Sequence, residues 1–236
     1  MKLTARRRFF LNWFPHRAVG ERSLPADRDR FDLFLLMGQS NMAGFGCVRE
    51  DDPWQAGDFD FEPGVFVFGG QSKVKSARPQ GLEVWRPAAH PLHLNQQSCG
   101  FGLGLPFAKK LRVAAPDRGV GLIPCAWGGA PIDQLNGGTP LFENAMRRAK
   151  KAAESGRIRA VLWHQGESDT RNAELAEGHA VKLRQLMTDL RMELGDPTLP
   201  FLIGDLGEFT EVAKRKRRPE AAVWNARVRQ GLREVA

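Results

Sequence analysis

The sequence predicts an α/β protein in which a parallel sheet is covered by helices on both faces. Short apolar runs alternate along the chain with longer segments that have the apolar spacing of amphipathic helices. Continuous apolar runs are typical of strands buried on both faces, as in parallel sheets. We find no internal repeat and no second core pattern, and 236 residues are enough for one such domain.

Each predicted element follows from this alternation. The predicted core strands are residues 31–37, 120–124, 158–163 and 201–206, with an extra strand at 65–68. Helical spacing predicts helices over residues 103–113, 140–154, 173–194 and 220–235. Gly and Pro residues follow several of these segments, where they end helices and form turns.

Charge and composition separate a short extension from the main domain. Residues 1–30 are predicted to be a basic N-terminal extension, and residues 31–236 the folded domain. The net charge is +8, from 35 Lys and Arg against 27 Asp and Glu, but outside the extension only residues 214–218 form a dense basic run. Such runs usually lie in solvent. Because no nucleic-acid motif or interleaved aromatic pattern accompanies them, we predict no nucleic-acid partner.

The cysteines and the hydropathy of the sequence argue against a disulfide-rich, metal-binding, membrane-spanning or secreted protein. The three cysteines, Cys47, Cys99 and Cys125, lack metal-ligand spacing, and an odd number cannot close a disulfide framework. No apolar run is long enough to cross a bilayer. An arginine-rich start resembles an export signal, but polar residues interrupt its apolar part. We therefore predict a cytoplasmic rather than secreted protein without a membrane partner or a metal.

Three stretches rich in Gly and polar residues follow predicted strands. They are residues 38–44, 126–132 and 164–170. The carboxyl ends of parallel strands meet at one edge of the sheet, where functional residues of such folds gather. The sequence therefore predicts one functional site built from these three loops.

Ser40 is the candidate nucleophile in the first loop. A serine at a tight turn between strand and helix can expose its hydroxyl and direct its own N–H toward an oxyanion. A Gly-rich turn before a helix can also bind phosphate, and a serine there can simply cap the helix. Spacing alone leaves these three interpretations open.

The three loops together resemble a known family. Gly-Gln-Ser-Asn-Met-Ala-Gly at 38–44 resembles the nucleophile block of SGNH hydrolases, in the form found in sialate O-acetylesterases and carbohydrate esterase family six, largely acetylxylan esterases. Residues 122–132 and 163–169, the latter Trp-His-Gln-Gly-Glu-Ser-Asp, are similar to the second and third blocks. Shorter similarities occur at 91–93 and 102–108, so the blocks run in the family's order.

The resemblance implies a three-layer α/β/α flavodoxin-like fold and a serine hydrolase. Such an enzyme would remove acetyl groups from acetylated carbohydrates through an acetyl-serine intermediate, without a cofactor. Ser40 would attack the acetyl carbonyl, and the Gly128–Gly129 turn would donate a backbone N–H to the oxyanion.

Four further side chains receive roles from the same resemblance. Gln165 would donate its side-chain amide to the oxyanion, and Glu167 would orient a catalytic histidine. Gln39 and Asn41 are assigned to the oxyanion and substrate-binding group. An alternative is that Gln165 and Glu167 only tie neighbouring loops together. Asp169 is interpreted as structural.

The family's general base has no counterpart at its expected position. It is a histidine in an Asp-x-x-His block after a fifth strand, whereas the five histidines here are His16, His90, His93, His164 and His179. We therefore expect the last strand, the base and the closing helix to be missing from this sequence. Three explanations stay open: an incomplete gene product, a degenerate relative that binds sugar without turnover, or another histidine, His164 or His93, as the base.

Overall fold

The computed structural model describes residues 23–46, 61–69, 83–94, 100–207 and 220–236. The elements in chain order are β1 (Phe31–Gly38), α1 (Ser40–Ala43), β2 (Val65–Phe68), β3 (Trp85–Pro87), α2 (Gly104–Ala114), β4 (Gly119–Pro124), α3 (Pro140–Ala152), β5 (Arg157–His164), α4 (Ala173–Leu194), β6 (Phe201–Ile203) and α5 (Glu220–Val235). Most of the predicted extension and the basic run at 214–218 lie outside the described residues.

The strands form one sheet in the order β3-β2-β4-β1-β5-β6. All neighbouring strands are parallel except β3, which runs antiparallel to β2. Without the extra strands β2 and β3, the four predicted core strands have the order 2-1-3-4, which is flavodoxin-like. The predicted α/β fold with a largely parallel sheet is therefore confirmed.

Side chains of β1 alternate between two cores, one on each face of the sheet. Leu33, Leu35 and Met37 pack with residues of α3, α4 and α5. Phe34 and Leu36 pack on the other face with residues of α2. Burial on both faces explains why the strand is apolar from Leu33 to Met37, and β1 is the central strand that carries the nucleophile loop.

Caps at the helix ends follow the local sequence. The Thr139 hydroxyl accepts the Phe142 N–H at 3.3 Å at the start of α3, and the Asn172 side chain accepts the Leu175 N–H at 3.0 Å at the start of α4. Gly195 ends α4 in the left-handed conformation, with φ of 68°. The side chains of Thr139 and Asn172 satisfy N–H groups that the first turn of a helix leaves without internal partners.

Two elements differ from the sequence prediction. Strand β3 was not predicted, because three residues at a sheet edge are too few to show an alternating pattern. Strand β6 ends at Ile203 instead of 206. A Cβ atom on Gly204 would lie 2.7 Å from the His164 ring, so the chain passes close to that ring at the carboxyl edge of the sheet.

The described end of the predicted extension contacts the domain. A 3-10 turn at Arg28–Arg30 leads into β1, and Arg28 donates to the Ala153 carbonyl at 2.6 Å. Within the described ranges, no helix has both the length and the apolar content that a membrane span requires.

Candidate active site

Ser40 lies just beyond the end of the central strand. Gly38 has a φ of 136°, and a side chain there would overlap the His164 carbonyl, so this position requires glycine. The Gln39 N–H donates to the same carbonyl at 2.9 Å, and Ser40 then begins the single-turn helix α1. Ser40 is half-buried, and its hydroxyl forms no hydrogen bond to any residue that the structure describes.

The second loop is anchored beside the nucleophile turn. The Trp127 N–H donates to the Gly38 carbonyl at 3.0 Å, two residues before Ser40. Gly129 has a φ of 80°, and a Cβ atom on it would meet nothing within 4 Å. Among the described residues, its backbone N–H has no hydrogen-bond partner. The Gly128–Gly129 turn therefore presents an available N–H group close to the strand that carries Ser40.

Asn41 and Glu167 are in direct contact. The Asn41 amide donates to Glu167 Oε1, and His164 Nδ1 lies 3.9 Å from the same oxygen. Both Glu167 and His164 are mostly buried, at 11% and 14% side-chain exposure. The third loop thus brings a carboxylate and an imidazole next to the residue that follows Ser40.

Gln39 faces the protein interior rather than the site. It is 3% exposed, and its Oε1 accepts the Ser168 N–H at 3.1 Å and the Gly166 N–H at 3.5 Å. In this position the side chain joins the nucleophile turn to the third loop. The predicted role of Gln39 in oxyanion or substrate binding is not visible in this geometry.

Gln165 is fully buried, and its amide groups are all engaged inside the protein. Its Nε2 donates to the Ala130 carbonyl at 3.2 Å and to Asp169. Its Oε1 lies 2.9 Å from His179 Nε2. Because no amide hydrogen is left for an oxyanion in this conformation, the geometry favours the alternative in which Gln165 ties loops together.

Burial shifts the pKa values of the two ionisable side chains that contact Gln165. Burial raises the pKa of Asp169 to about 6, although hydrogen bonds from Gln165 and the Ile132 N–H oppose this effect. Burial lowers the pKa of His179 to about 4, with a smaller contribution from Lys182. His179 is therefore neutral at pH 7, as a buried packing group is expected to be.

His90 and His93 are also buried and neutral. Burial lowers the pKa of His93 to about 3, and its Nε2 accepts the Ala126 N–H at 3.1 Å. Burial likewise lowers the pKa of His90 to about 4, and its ring centroid lies 4.6 Å from that of Phe101. A fully buried ring that already accepts a backbone hydrogen bond is unsuited to take a proton from Ser40.

Sequence reasoning missed two contacts of the site. It assigned no role to Ser168, whose hydroxyl donates to the Gly129 carbonyl at 2.9 Å, and it did not pair Asn41 with Glu167. No local spacing signals these contacts, since the partners are far apart in the chain. In the ranges the structure describes, no group of three or more His, Cys, Asp and Glu side chains is placed to hold a metal ion.

Comparison with known proteins supports the resemblance of the three loops. The family model for carbohydrate esterase, sialic acid-specific acetylesterase, matches residues 30–232. A probable carbohydrate esterase of Arabidopsis thaliana is 34% identical over 178 residues, which are 72% of this chain and 66% of the relative. The matched region is thus about two thirds of that relative's length.

Solved structures show the same fold. An X-ray structure of an Arabidopsis thaliana protein has a TM-score of 0.71 and 26% identity, covering 87% of this chain and 81% of the other. The crystal structure of NanS has a TM-score of 0.63 at 18% identity, covering 85% and 74%. Because the family model matches most of the chain and includes all three loops, this chain belongs to the carbohydrate esterase family of sialic acid-specific acetylesterases.

Proposed function

We propose that this chain is a carbohydrate O-acetylesterase that removes acetyl groups from acetylated glycans. The observation that carries the proposal is the position of Ser40. Half-buried Ser40 follows the central strand β1, which lies between β4 and β5, and the loops after those two strands carry the available Gly129 N–H and Glu167. Family membership supports the substrate class.

The reaction starts when Ser40 Oγ attacks the acetyl carbonyl. The negative charge that develops on the carbonyl oxygen is stabilised by the Ser40 and Gly129 N–H groups. A base takes the Ser40 proton and gives it to the sugar oxygen, which leaves as a hydroxyl group, and water then hydrolyses the acetyl-Ser40 ester to release acetate and restore the Ser40 hydroxyl. No step requires a metal or an organic cofactor.

A base must accept the Ser40 proton, and in such enzymes a carboxylate orients the imidazole that acts as the base. Among the described histidines, only His164 lies near a carboxylate of the site, with its Nδ1 3.9 Å from Glu167 Oε1, a distance longer than a hydrogen bond. We therefore take His164 as the candidate base within the described part of the chain. Substitution of His164 tests its role as the base separately from the role of Ser40 as the nucleophile.

Hydrolysis of p-nitrophenyl acetate by the wild-type chain and by Ser40→Ala tests the proposal. We expect Ser40→Ala to reduce the rate to the uncatalysed background, because the nucleophile is lost. His164→Asn is expected to abolish turnover, and about 100 mM added imidazole is expected to restore only a small part of it, because a free base replaces a positioned one inefficiently. Equal rates for the wild type and Ser40→Ala would contradict the esterase proposal.

A second candidate function is glycan binding without turnover. One observation favours it: the Ser40 hydroxyl forms no hydrogen bond to a histidine in the described ranges. Calorimetric titration with acetylated xylan fragments and O-acetylated sialic acids separates the two functions. Binding that survives Ser40→Ala, with no acetate released by the wild type, would support a binding protein.

A further inference from the structure

Ser168 joins two parts of the site that are distant in sequence. Its backbone N–H donates to Gln39 Oε1 at 3.1 Å, and its hydroxyl donates to the Gly129 carbonyl at 2.9 Å. The residue is 5% exposed, so little water competes for either bond. A single side chain on the third loop thus connects the nucleophile turn with the glycine turn.

The peptide between Gly129 and Ala130 is held at both ends. Its carbonyl accepts the Ser168 hydroxyl, and its N–H, from Ala130, donates to the Trp127 carbonyl at 3.2 Å. Because a peptide group is planar, these two bonds fix its orientation. The fixed plane in turn restricts Gly129, whose own N–H carries no hydrogen bond within the described ranges.

Packing does not hold Gly129 in place. A Cβ atom added to Gly129 would find no heavy atom within 4 Å, and the residue is exposed. Glycine also has more backbone freedom than any other residue. The direction of the Gly129 N–H therefore depends on hydrogen bonds to the turn and to the adjoining peptide, and the Ser168 hydroxyl supplies one of them.

We propose that Ser168 is a positioning residue of the esterase. Its hydroxyl holds the Gly128–Gly129 turn in the orientation in which the Gly129 N–H donates to the oxyanion. This inference rests on the proposed function and adds to it a residue that acts through the turn without touching the substrate.

Replacing Ser168 by alanine isolates the hydroxyl. The Ser168 N–H still donates to Gln39 in the variant, so the third loop keeps its tie to the nucleophile turn. Complete loss of an oxyanion donor costs about a hundred- to a thousandfold in kcat. Loss of the hydroxyl that holds the donor should lower kcat less than loss of the donor itself. We therefore expect a fall of about tenfold in kcat with KM unchanged.

Fluorophosphonate labelling of Ser40 gives the same information without a carbohydrate substrate. A base takes the serine proton, the serine oxygen forms a bond to phosphorus, fluoride leaves, and the phosphonyl oxygen occupies the oxyanion position. We expect Ser168→Ala to slow labelling by a factor similar to that in kcat, and Ser168→Thr, which keeps a hydroxyl, to restore most of the rate. Unchanged kcat and unchanged labelling in Ser168→Ala would overturn the proposal.

Thr170→Ala is the matched control. It also removes a buried hydroxyl that donates to a carbonyl at 2.9 Å, but the acceptor is Glu167 in the same loop. If Thr170→Ala slows labelling as much as Ser168→Ala does, general loosening of the loop explains both effects and the proposal fails. Thermal unfolding of each variant shows whether it is folded at the assay temperature.

An NMR measurement keeps the inference separate from the proposed function. If the wild type and Ser40→Ala are equally unreactive, the proposed function has failed, and the effect of Ser168 is then judged on the turn itself. Loss of the hydroxyl bond is expected to move the Gly129 carbonyl ¹³C and the Ala130 amide resonances in Ser168→Ala but not in Thr170→Ala. Resonances that stay in place would overturn the assignment of Ser168 as the group that holds the turn.

Discussion

At the scale of single residues, polar side chains of the three loops divide into those that face the site and those that face the interior. Asn41 and Glu167 meet beside Ser40, whereas Gln39 and Gln165 are buried and bonded to other loops. Buried polar groups stabilise a structure only while their partners are present, because an unpaired buried donor or acceptor carries its full desolvation cost. Substitution of Gln39 or Gln165 is therefore expected to lower the stability of the fold more directly than the rate of catalysis.

Gln165→Ala tests this division. The substitution leaves Asp169 and His179 without their amide partner, and we expect the free energy of unfolding to fall by about 2–4 kcal/mol in urea denaturation. Gln185→Ala is the control, since the exposed Gln185 amide on α4 also donates to a carboxylate. A change below about 0.5 kcal/mol is expected there. Equal, small changes in both variants would contradict the structural role of Gln165.

At the scale of elements, the carboxyl ends of β1, β4 and β5 bring the three loops together. The Trp127 N–H bonds to the Gly38 carbonyl, and the Gln39 N–H bonds to the His164 carbonyl, so the loops after β4 and β5 are both attached to the loop after β1. A comparison of Gly129 with Gly138, which lies outside the site, shows that a left-handed turn alone does not make a site. Gly129 and Gly138 have nearly the same φ, 80° and 79°, and both face open space.

Alanine substitutions at these two glycines form a matched pair. Each places a side chain in the left-handed region and is expected to cost about 1–2 kcal/mol of stability. Only Gly129→Ala should also slow fluorophosphonate labelling of Ser40, because only that turn adjoins the nucleophile loop. Labelling rates that fall equally in Gly129→Ala and Gly138→Ala would argue against an oxyanion role for the turn.

At the scale of the whole molecule, three buried histidines make stability depend on pH. The pKa values of His90, His93 and His179 are lowered to about 4, 3 and 4, whereas a histidine in the unfolded chain titrates near 6.5. As the pH falls below 6.5, the unfolded chain takes up protons that the folded protein excludes, and stability is lost until the folded pKa values are reached. Asp169 acts in the opposite direction: its pKa, raised to about 6, adds stability that is present at low pH and is lost as the pH rises through 6.

The histidines are expected to dominate the change in stability between pH 7 and pH 5. Relative to pH 7, each histidine lowers the free energy of unfolding at pH 5 by about 2 kcal/mol, whereas Asp169 raises it by about 1 kcal/mol. Urea denaturation of the wild type and of His93→Gln at the two pH values measures this. The glutamine cannot be protonated, so the difference between pH 7 and pH 5 should shrink by about 2 kcal/mol. An unchanged pH difference in the variant would show that His93 is not the buried neutral group that the structure indicates.

Much of this molecule follows from local pattern in the sequence. The apolar runs predict the strands of the core, because burial on both faces favours apolar side chains at successive positions. The alternation of strands with helices and the Gly-rich loops after the strands predict where the site lies, and Ser40 stands at the turn that the pattern singles out. What local pattern misses is the short edge strand β3, since three residues carry no period.

The sequence by itself determined the α/β alternation, the glycine at position 38 and the nucleophile loop, because each depends on residues close together in the chain. Only the tertiary structure decided which partner each polar side chain meets: Gln165 turns inward to Asp169, Asn41 contacts Glu167, and Ser168 bonds to Gly129. The bonds of Asn41 and Ser168 to their partners span 126 and 39 residues of the chain. Their formation depends on strand order and register, which bring distant loops to one edge of the sheet, and no local spacing encodes that arrangement.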